Sequence, residues 1–154
     1  MKKQASSPSH ERGQSLVELA ISLTFLLVLL SGVVNFGIAL FHYIAMRDAA
    51  QEGAVFGSMN PGNTSGIQDR VRNTSGATGL IRRLYDSGAL TVRIVTTNTA
   101  GTVVSAGSAC AGGAIKVTVT YSYPLTMPFI SSFIGTDHIT MNAAATDTIL
   151  SPAC

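Results

Sequence analysis

The chain has 154 residues, enough for one small domain and an appendage, and only 12% of them are charged although 46% are hydrophobic. The charge deficit is concentrated in one place, because no Asp, Glu, Lys or Arg occurs between Leu19 and Met46. The net charge is only +2, and the basic residues after the apolar run are scattered, so the sequence lacks the basic stripe of nucleic-acid-binding proteins. We therefore expect no nucleic acid among its partners.

The N-terminal segment 1–13 is polar and contains the run Ser6-Ser7-Pro8-Ser9, so we expect Met1 to Arg12 to be disordered. The apolar run that follows has 28 uncharged residues, Leu19 to Met46, and would span about 42 Å as a helix. A bilayer core of about 30 Å needs about 20 residues. The run is therefore long enough to cross a membrane, and too long for the apolar region of a cleaved secretory signal peptide.

The charges that flank the apolar run predict its orientation. Three basic residues precede the run: Lys2, Lys3 and Arg12. On its C-terminal side, the charge of Arg47 is balanced by nearby acidic residues. The positive-inside rule then places the N-terminus in the cytoplasm and the C-terminal domain outside.

Gly13 stands five residues before Glu18, after a short basic leader and before the apolar run, and this Gly-x-x-x-x-Glu pattern is typical of a prepilin cleavage site. A membrane aspartyl peptidase would cut between Gly13 and Gln14 and leave a cationic α-amine on Gln14. That amine could pair with Glu18 of the same or a neighbouring subunit and offset the cost of a carboxylate at the membrane edge. The alternative needs no cleavage: Glu18 lies in the headgroup region and stabilises the helix N-terminus through the helix dipole.

The helix is expected to continue beyond the membrane to residue 59, because Asn60-Pro61-Gly62 is a strong stop signal. Small residues at intervals of four form one ridge along it: Ala45, Ala49, Gly53 and Gly57. Small side chains at that spacing let another backbone approach closely. Two alternatives follow, packing against a partner helix or neighbouring subunit, and contact with the protein's own sheet.

Residues 60–154 are predicted to form a small α+β domain. Apolar positions between Ile67 and Leu84 predict one or two short helices. Alternation of apolar and polar residues then predicts strands, and Thr102–Val104 can add an edge strand. The predicted strands are Leu90–Ile94, Ile115–Tyr123 and Ile139–Ala143. One apolar face per strand implies an antiparallel sheet covered on one side, so the predicted fold is a long transmembrane helix followed by a small α+β domain with an antiparallel sheet and one or two short helices.

Two loops of this domain carry further predictions. The two cysteines, Cys110 and Cys154, form no CxxC pair, so a zinc or redox motif has no support. In an exported domain they most simply form one disulfide, and the alternative is two free thiols. The loop from Leu125 to Ile134 is too apolar for a plain surface loop, and its side chains could cover the sheet, meet the outer leaflet or touch a partner.

Catalytic interpretations have little support in the sequence. Asp137 and His138 are adjacent, but neighbouring strand positions point to opposite faces, and no third catalytic group has a sequence signature. Phosphate-binding loops and metal-ligand spacings are also missing from the sequence. We therefore expect no enzymatic activity, no metal and no cofactor.

The segment from Arg12 to Ser58 resembles the TadE-like family, the minor pilins or pseudopilins of tight-adherence (Flp-type) pilus systems. The matching elements are Gly13, Glu18, the long apolar helix and the run Arg47-Asp48-Ala49-Ala50-Gln51-Glu52-Gly53-Ala54. Leu19 departs from the family, which usually has an aromatic residue after the glutamate. The resemblance implies cleavage by a dedicated prepilin peptidase, with Gly13 and Gln14 as the scissile pair and Glu18 as the motif acid. It also implies a role in pilus assembly or anchoring, and in surface attachment or biofilm formation.

We therefore expect a single-pass protein of the cytoplasmic membrane with a leader (1–13), a transmembrane and juxtamembrane helix (14–59) and an extracytoplasmic domain (60–154). Its expected partners are the prepilin peptidase, other minor pilins or pilus assembly proteins, and the lipid bilayer. The alternative function is that of a bitopic membrane protein, not processed as a pilin, whose outer domain binds a ligand or a surface.

Overall fold

The computed structural model describes residues 11–74, 79–125 and 135–152. Its elements confirm the predicted fold class, a long N-terminal apolar helix followed by short helices and a small antiparallel sheet. The chain divides into two compact units, one that ends at Gly37 and one that begins at Ile38. The helices are α1 (Glu11–Met59), α2 (Thr64–Arg72) and α3 (Leu80–Asp86), and the strands are β1 (Leu90–Thr97), β2 (Val103–Val104), β3 (Ala114–Pro124) and β4 (His138–Thr148).

The four strands form one sheet in the order β2-β1-β3-β4, and every neighbouring pair is antiparallel. The central strand β3 pairs along its whole length with β4, from Ala114 opposite Thr148 to Pro124 opposite His138. Because β3 has a partner on each side and alternates apolar with polar residues, one of its faces can be fully covered.

The core of the second unit lies between the covered face of the sheet and the part of α1 from Ala45 onward. Ile115, Val117 and Val119 alternate along β3 and are fully buried. Helix α1 contributes buried Met46 and small residues, and α2 adds buried Ile67 and Val71. The opposite face of the sheet is exposed or half-exposed and rich in threonine, a β-branched residue that suits a solvated strand.

Short polar contacts fix the ends of the smaller elements. Asn63 caps α2, because its side-chain oxygen accepts a hydrogen bond of 2.9 Å from the amide of Gly66. An ion pair of 2.8 Å between Arg72 and Asp86 joins the ends of α2 and α3. At the C-terminal end the amide of Leu150 donates to the carbonyl of Ser58 at 2.8 Å, so the segment after β4 is bound to the end of α1.

The three main predicted strands are present with longer bounds than the sequence indicated, whereas the edge strand predicted at Thr102–Val104 is present as Val103–Val104. β1 continues three residues beyond Ile94, and β4 continues five residues beyond Ala143 because its backbone pairs with β3 throughout. Both short helices are present. Helix α1 begins at Glu11, so Glu11 to Gly13, predicted as part of the leader, are helical. The rest of the leader, and residues 126–134 of the predicted apolar loop, lie outside the described residues.

Candidate membrane anchor and processing site

The apolar side chains of α1 in the first unit are exposed. Leu16, Phe25 and Phe36 have 68%, 66% and 71% of their surface accessible. The helix has a mean hydropathy of 2.4 over its best 18-residue window, and none of that window is buried inside the protein. A core helix of a soluble protein would be covered, so this surface is consistent with a single-pass membrane protein. Among the described residues, it is the one helix that is long and apolar enough to cross a membrane.

The predicted scissile pair and the motif acid lie close together on the first turns of α1. Gly13, Gln14 and Glu18 line a shallow groove with Val17 and neighbouring residues, and all three are exposed. Among the described residues, which begin at Glu11, a Cβ atom added at Gly13 would meet nothing within 4 Å. The fold therefore has no steric need for glycine at this position, and the residue destabilises the helix by about 1 kcal/mol relative to alanine.

Glu18 faces the same side of the helix as Gln14, because residues four apart are neighbours on a helical surface. No ion pair among the described residues includes Glu18. Its predicted partner, the α-amine of Gln14, would exist only after cleavage. A free amine at Gln14 would also make this turn the helix N-terminus, where a carboxylate is favoured by the dipole. The pairing of Glu18 stays a prediction.

The ridge of small residues packs within the protein's own domain. Ala45 and Ala49 have 4% and 0% of their surface accessible. A Cβ atom at Gly53 would lie 2.6 Å from Cγ2 of Val71 in α2, and one at Gly57 would lie 2.5 Å from Cδ1 of Ile115 in β3. Of the two alternatives for the ridge, the structure therefore shows contact with the protein's own sheet, together with α2. The ridge has no free surface for a partner helix.

His42 belongs to an aromatic cluster that the sequence did not reveal. Its ring stacks on Tyr121 with a centroid distance of 5.5 Å and an interplanar angle of 10°, and it meets Tyr123 edge-on at 5.5 Å. Its Nδ1 lies 2.8 Å from the carbonyl oxygen of Ile38, which fixes the ring against its own helix. Burial raises the pKa of the Tyr121 phenol. Alternation along β3 had placed both tyrosines on the covered face, but no sequence signal linked them to His42.

The expectation that Asp137 and His138 point apart is wrong. Asp137 lies in a bend before the first residue of β4, so strand alternation does not apply to it. Its Oδ1 atom lies 2.7 Å from Nδ1 of His138, and this hydrogen bond lowers the pKa of the Asp137 carboxyl. Both side chains are open to solvent, at 87% and 56% accessible. Within the described residues, no group of three or more His, Cys, Asp or Glu side chains could hold a metal ion.

Cys110 lies in the loop before β3 and is disulfide-bonded. Its predicted partner, Cys154, lies outside the described residues. The loop around Cys110 is held by backbone hydrogen bonds from Ala111 to Pro152 and from Gly112 to Ile149, at 2.8 and 2.9 Å. These bonds bring the segment that precedes Cys154 next to Cys110. The Cys110–Cys154 pairing itself stays a prediction.

Comparison with known proteins gives one finding. The family described as TadE-like protein matches residues 13–55. No curated protein matches the chain, and neither does any solved structure. The matched segment begins at Gly13, contains Glu18 and the apolar run, and ends one residue after the run from Arg47 to Ala54. Over residues 13–55, the N-terminal helix of this chain is thus similar to the TadE-like family.

Proposed function

We propose that the chain is a membrane-anchored minor pilin or pseudopilin that takes part in assembling or anchoring a tight-adherence pilus. The match to the TadE-like family indicates involvement in a tight-adherence pilus system. The exposed apolar helix supports membrane anchoring, and the basic leader supports an N-terminus in the cytoplasm with the domain outside the cytoplasmic membrane. Surface attachment and biofilm formation are the cellular roles that this proposal implies.

Gly13 is the observation that carries the proposal. Four glycines of α1 can be compared, and their surroundings differ. Gly53 and Gly57 are required by close packing, whereas among the described residues nothing lies close to Gly13 or Gly37. Gly37 lies within the apolar run, whereas Gly13 directly follows the basic leader. Glycine at such a place costs helix stability without any gain in packing. Recognition by a prepilin peptidase, which would cleave the bond between Gly13 and Gln14, supplies a reason for it.

Cleavage would give the mature protein a charged N-terminus. The new α-amine of Gln14 and the carboxylate of Glu18 would share one helix face at the membrane edge. If the amine and the carboxylate pair within one subunit, the charge at the helix terminus is neutralised. If they pair between subunits, the contact fixes the axial position of one helix relative to its neighbour. Other minor pilins or pilus assembly proteins are the partners that this second arrangement needs.

The mature N-terminus tests the proposal. The full chain is expressed in cells with and without a prepilin peptidase, purified from membranes and sequenced from its N-terminus. A start at Gln14 that depends on the peptidase is the expected result. Gly13→Ala should block processing, whereas Gly37→Ala is the matched control, because no described residue lies within 4 Å of a Cβ atom added at Gly37 either. An uncleaved protein in the working assembly would refute the pilin assignment and favour the bitopic, unprocessed alternative.

A further inference from the structure

The end of the domain nearest the apolar run carries exposed hydrophobic side chains that the pilin assignment does not explain. In the second unit, Phe41 and Ile44 on α1 have 52% and 49% of their surface accessible, and Ile139 at the start of β4 has 45%. The ring of Phe41 meets that of His42 edge-on at 6.3 Å, and Ile139 lies opposite Tyr123 in the sheet. Large apolar side chains grouped at one end of a domain indicate a surface that is covered in the working protein.

The direction of β3 places the aromatic cluster at the end of the domain close to Ile38. Gly57 of α1 lies against Ile115, Gly53 lies near Val117, and His42 stacks on Tyr121, so β3 runs antiparallel to α1. Tyr123 pairs with Ile139, and directly opposite residues of antiparallel strands share one face. Ile139 therefore lies beside the aromatic cluster, on the helix-facing side of the sheet.

The length of the apolar sequence sets the depth of this end. Counted from Leu19, the first residue after Glu18, about 20 helical residues cross a hydrocarbon core of about 30 Å and reach Ile38. The headgroup layer adds about 5–7 Å, or about three to five residues of helix. Phe41, His42 and Tyr43 fall within that layer. Since His42 contacts both tyrosines of β3, the end of the sheet must lie at the same depth.

The chemistry of this end suits headgroups better than hydrocarbon. Tyr121 and Tyr123 are buried, but Tyr43 is exposed and His42 is half-buried, and each of these two combines an apolar ring with a polar tip. Tyrosine is enriched at membrane–water interfaces. The exposed pair of Asp137 and His138 lies next to Ile139 and would be costly in the hydrocarbon core. The headgroup layer is polar and borders the apolar hydrocarbon core. It can therefore accommodate both the polar and the apolar side chains at this end of the domain.

From these observations we infer that the end of the domain formed by Phe41, His42, Tyr121, Tyr123 and Ile139 is seated in the headgroup layer of the leaflet on the domain's side. The inference rests on the membrane anchoring in the proposed function. It goes beyond it, because an anchored domain could equally stand clear of the lipid. The sheet is then held at a fixed height by two contacts with the membrane, the helix and the first residues of β4.

Tryptophan fluorescence in lipid vesicles tests the inference, since the chain has no native tryptophan. The full chain is reconstituted in phosphatidylcholine–phosphatidylglycerol vesicles that carry a quencher either near the headgroup or deep in the acyl chain. Ile139→Trp reports on the seated end of the sheet and Phe41→Trp on the adjacent helix. Val103→Trp is the matched control, because Val103 is 67% exposed at the other end of the sheet, about 30 Å from Ile139 along the strands.

We expect Ile139→Trp and Phe41→Trp to lose more emission to the headgroup quencher than to the deep quencher, and Val103→Trp to lose almost none. Phe25→Trp separates this inference from the proposed function, because it reports on the span itself. Quenching of Phe25→Trp without quenching of Ile139→Trp would overturn the seating and leave the anchor intact, and a blue-shifted but unquenched Ile139→Trp would assign the surface to a protein partner. An unquenched Phe25→Trp would overturn the anchor and the seating together. Circular dichroism shows that each variant is folded.

Discussion

Substitution of Gly53 by alanine should destabilise the domain although alanine is the better helix former. The added methyl would lie 2.6 Å from Cγ2 of Val71 and 3.4 Å from Cγ1 of Val117. Val71 is β-branched and fully buried, so its methyl group moves only if the side chain changes rotamer or α2 shifts. Overpacking of this kind costs up to about 3 kcal/mol, and the helix propensity gain returns about 1 kcal/mol. We expect a net loss of about 2 kcal/mol.

The loss can be measured by thermal unfolding of the full chain in detergent, followed by near-ultraviolet circular dichroism of the tyrosines. For a domain of this size, about 2 kcal/mol corresponds to a decrease in Tm of about 8 °C. Gly37→Ala is the control, since its added methyl meets nothing within 4 Å, and it should change domain stability by less than about 0.5 kcal/mol. Gly57→Ala should cost less than Gly53→Ala, because Cδ1 of Ile115 is the movable end of a longer side chain.

A double-mutant cycle identifies the contact responsible. Val71→Ala alone leaves a cavity and should cost about 2 kcal/mol, but combined with Gly53→Ala it removes the methyl that the new side chain would strike. The double variant should therefore be more stable than the sum of the single effects by at least about 1 kcal/mol. Additive effects, or a Gly53→Ala protein as stable as Gly37→Ala, would show that close packing against α2 is not what the glycine provides.

Three further outcomes follow from the domain's contacts. Reduction of the predicted Cys110–Cys154 disulfide, which would close a loop of about 45 residues, should lower the free energy of unfolding by about 4 kcal/mol, and peptide mass spectrometry with and without reductant checks the pairing. Because burial raises the pKa of Tyr121, the folded state favours the neutral phenol. Its contribution to stability is present below the unfolded pKa of about 10 and is lost as pH rises through the folded value, so absorbance at high pH should show a tyrosine that ionises above the ordinary value, and Tyr121→Phe should remove it. His42→Ala should lower the free energy of unfolding by about 1–2 kcal/mol, because both ring contacts are lost. His42→Phe should stay within about 0.5 kcal/mol of the wild type in the same thermal unfolding experiments. Equal losses in the two variants would contradict a role for the ring.

The local sequence pattern was sufficient to predict the helices and strands that have a strong hydrophobic periodicity. The alternation from Ile115 to Tyr123 predicted β3 almost to its ends, and the apolar run with its stop at Asn60 predicted α1. The second half of β4 could not be predicted, because Ala143, Ala144 and Ala145 have weak strand propensity and are extended only by pairing with β3.

Contacts between distant parts of the chain were beyond a single sequence. The spacing of the small residues indicated a closely packed ridge, but the identity of its partner depended on where Val71 and Ile115 lie in three dimensions. The stacking of His42 on Tyr121 joins residues nearly 80 positions apart, and no pattern marks it. Asp137 was misread because the exact start of β4 decides which way its side chain points.

The sharing of α1 between the apolar span and the domain core limits how a soluble fragment can be made. A cut between Met46 and Arg47, where the uncharged run ends, would remove Ala45 and Met46, which are 4% and 0% exposed. A fragment that keeps its interior has to begin no later than Ile38, the first residue of the second unit. Such a fragment exposes Phe41 and other apolar side chains to the buffer. Polar substitutions at those positions, or a mild detergent, should therefore determine whether the fragment stays monodisperse.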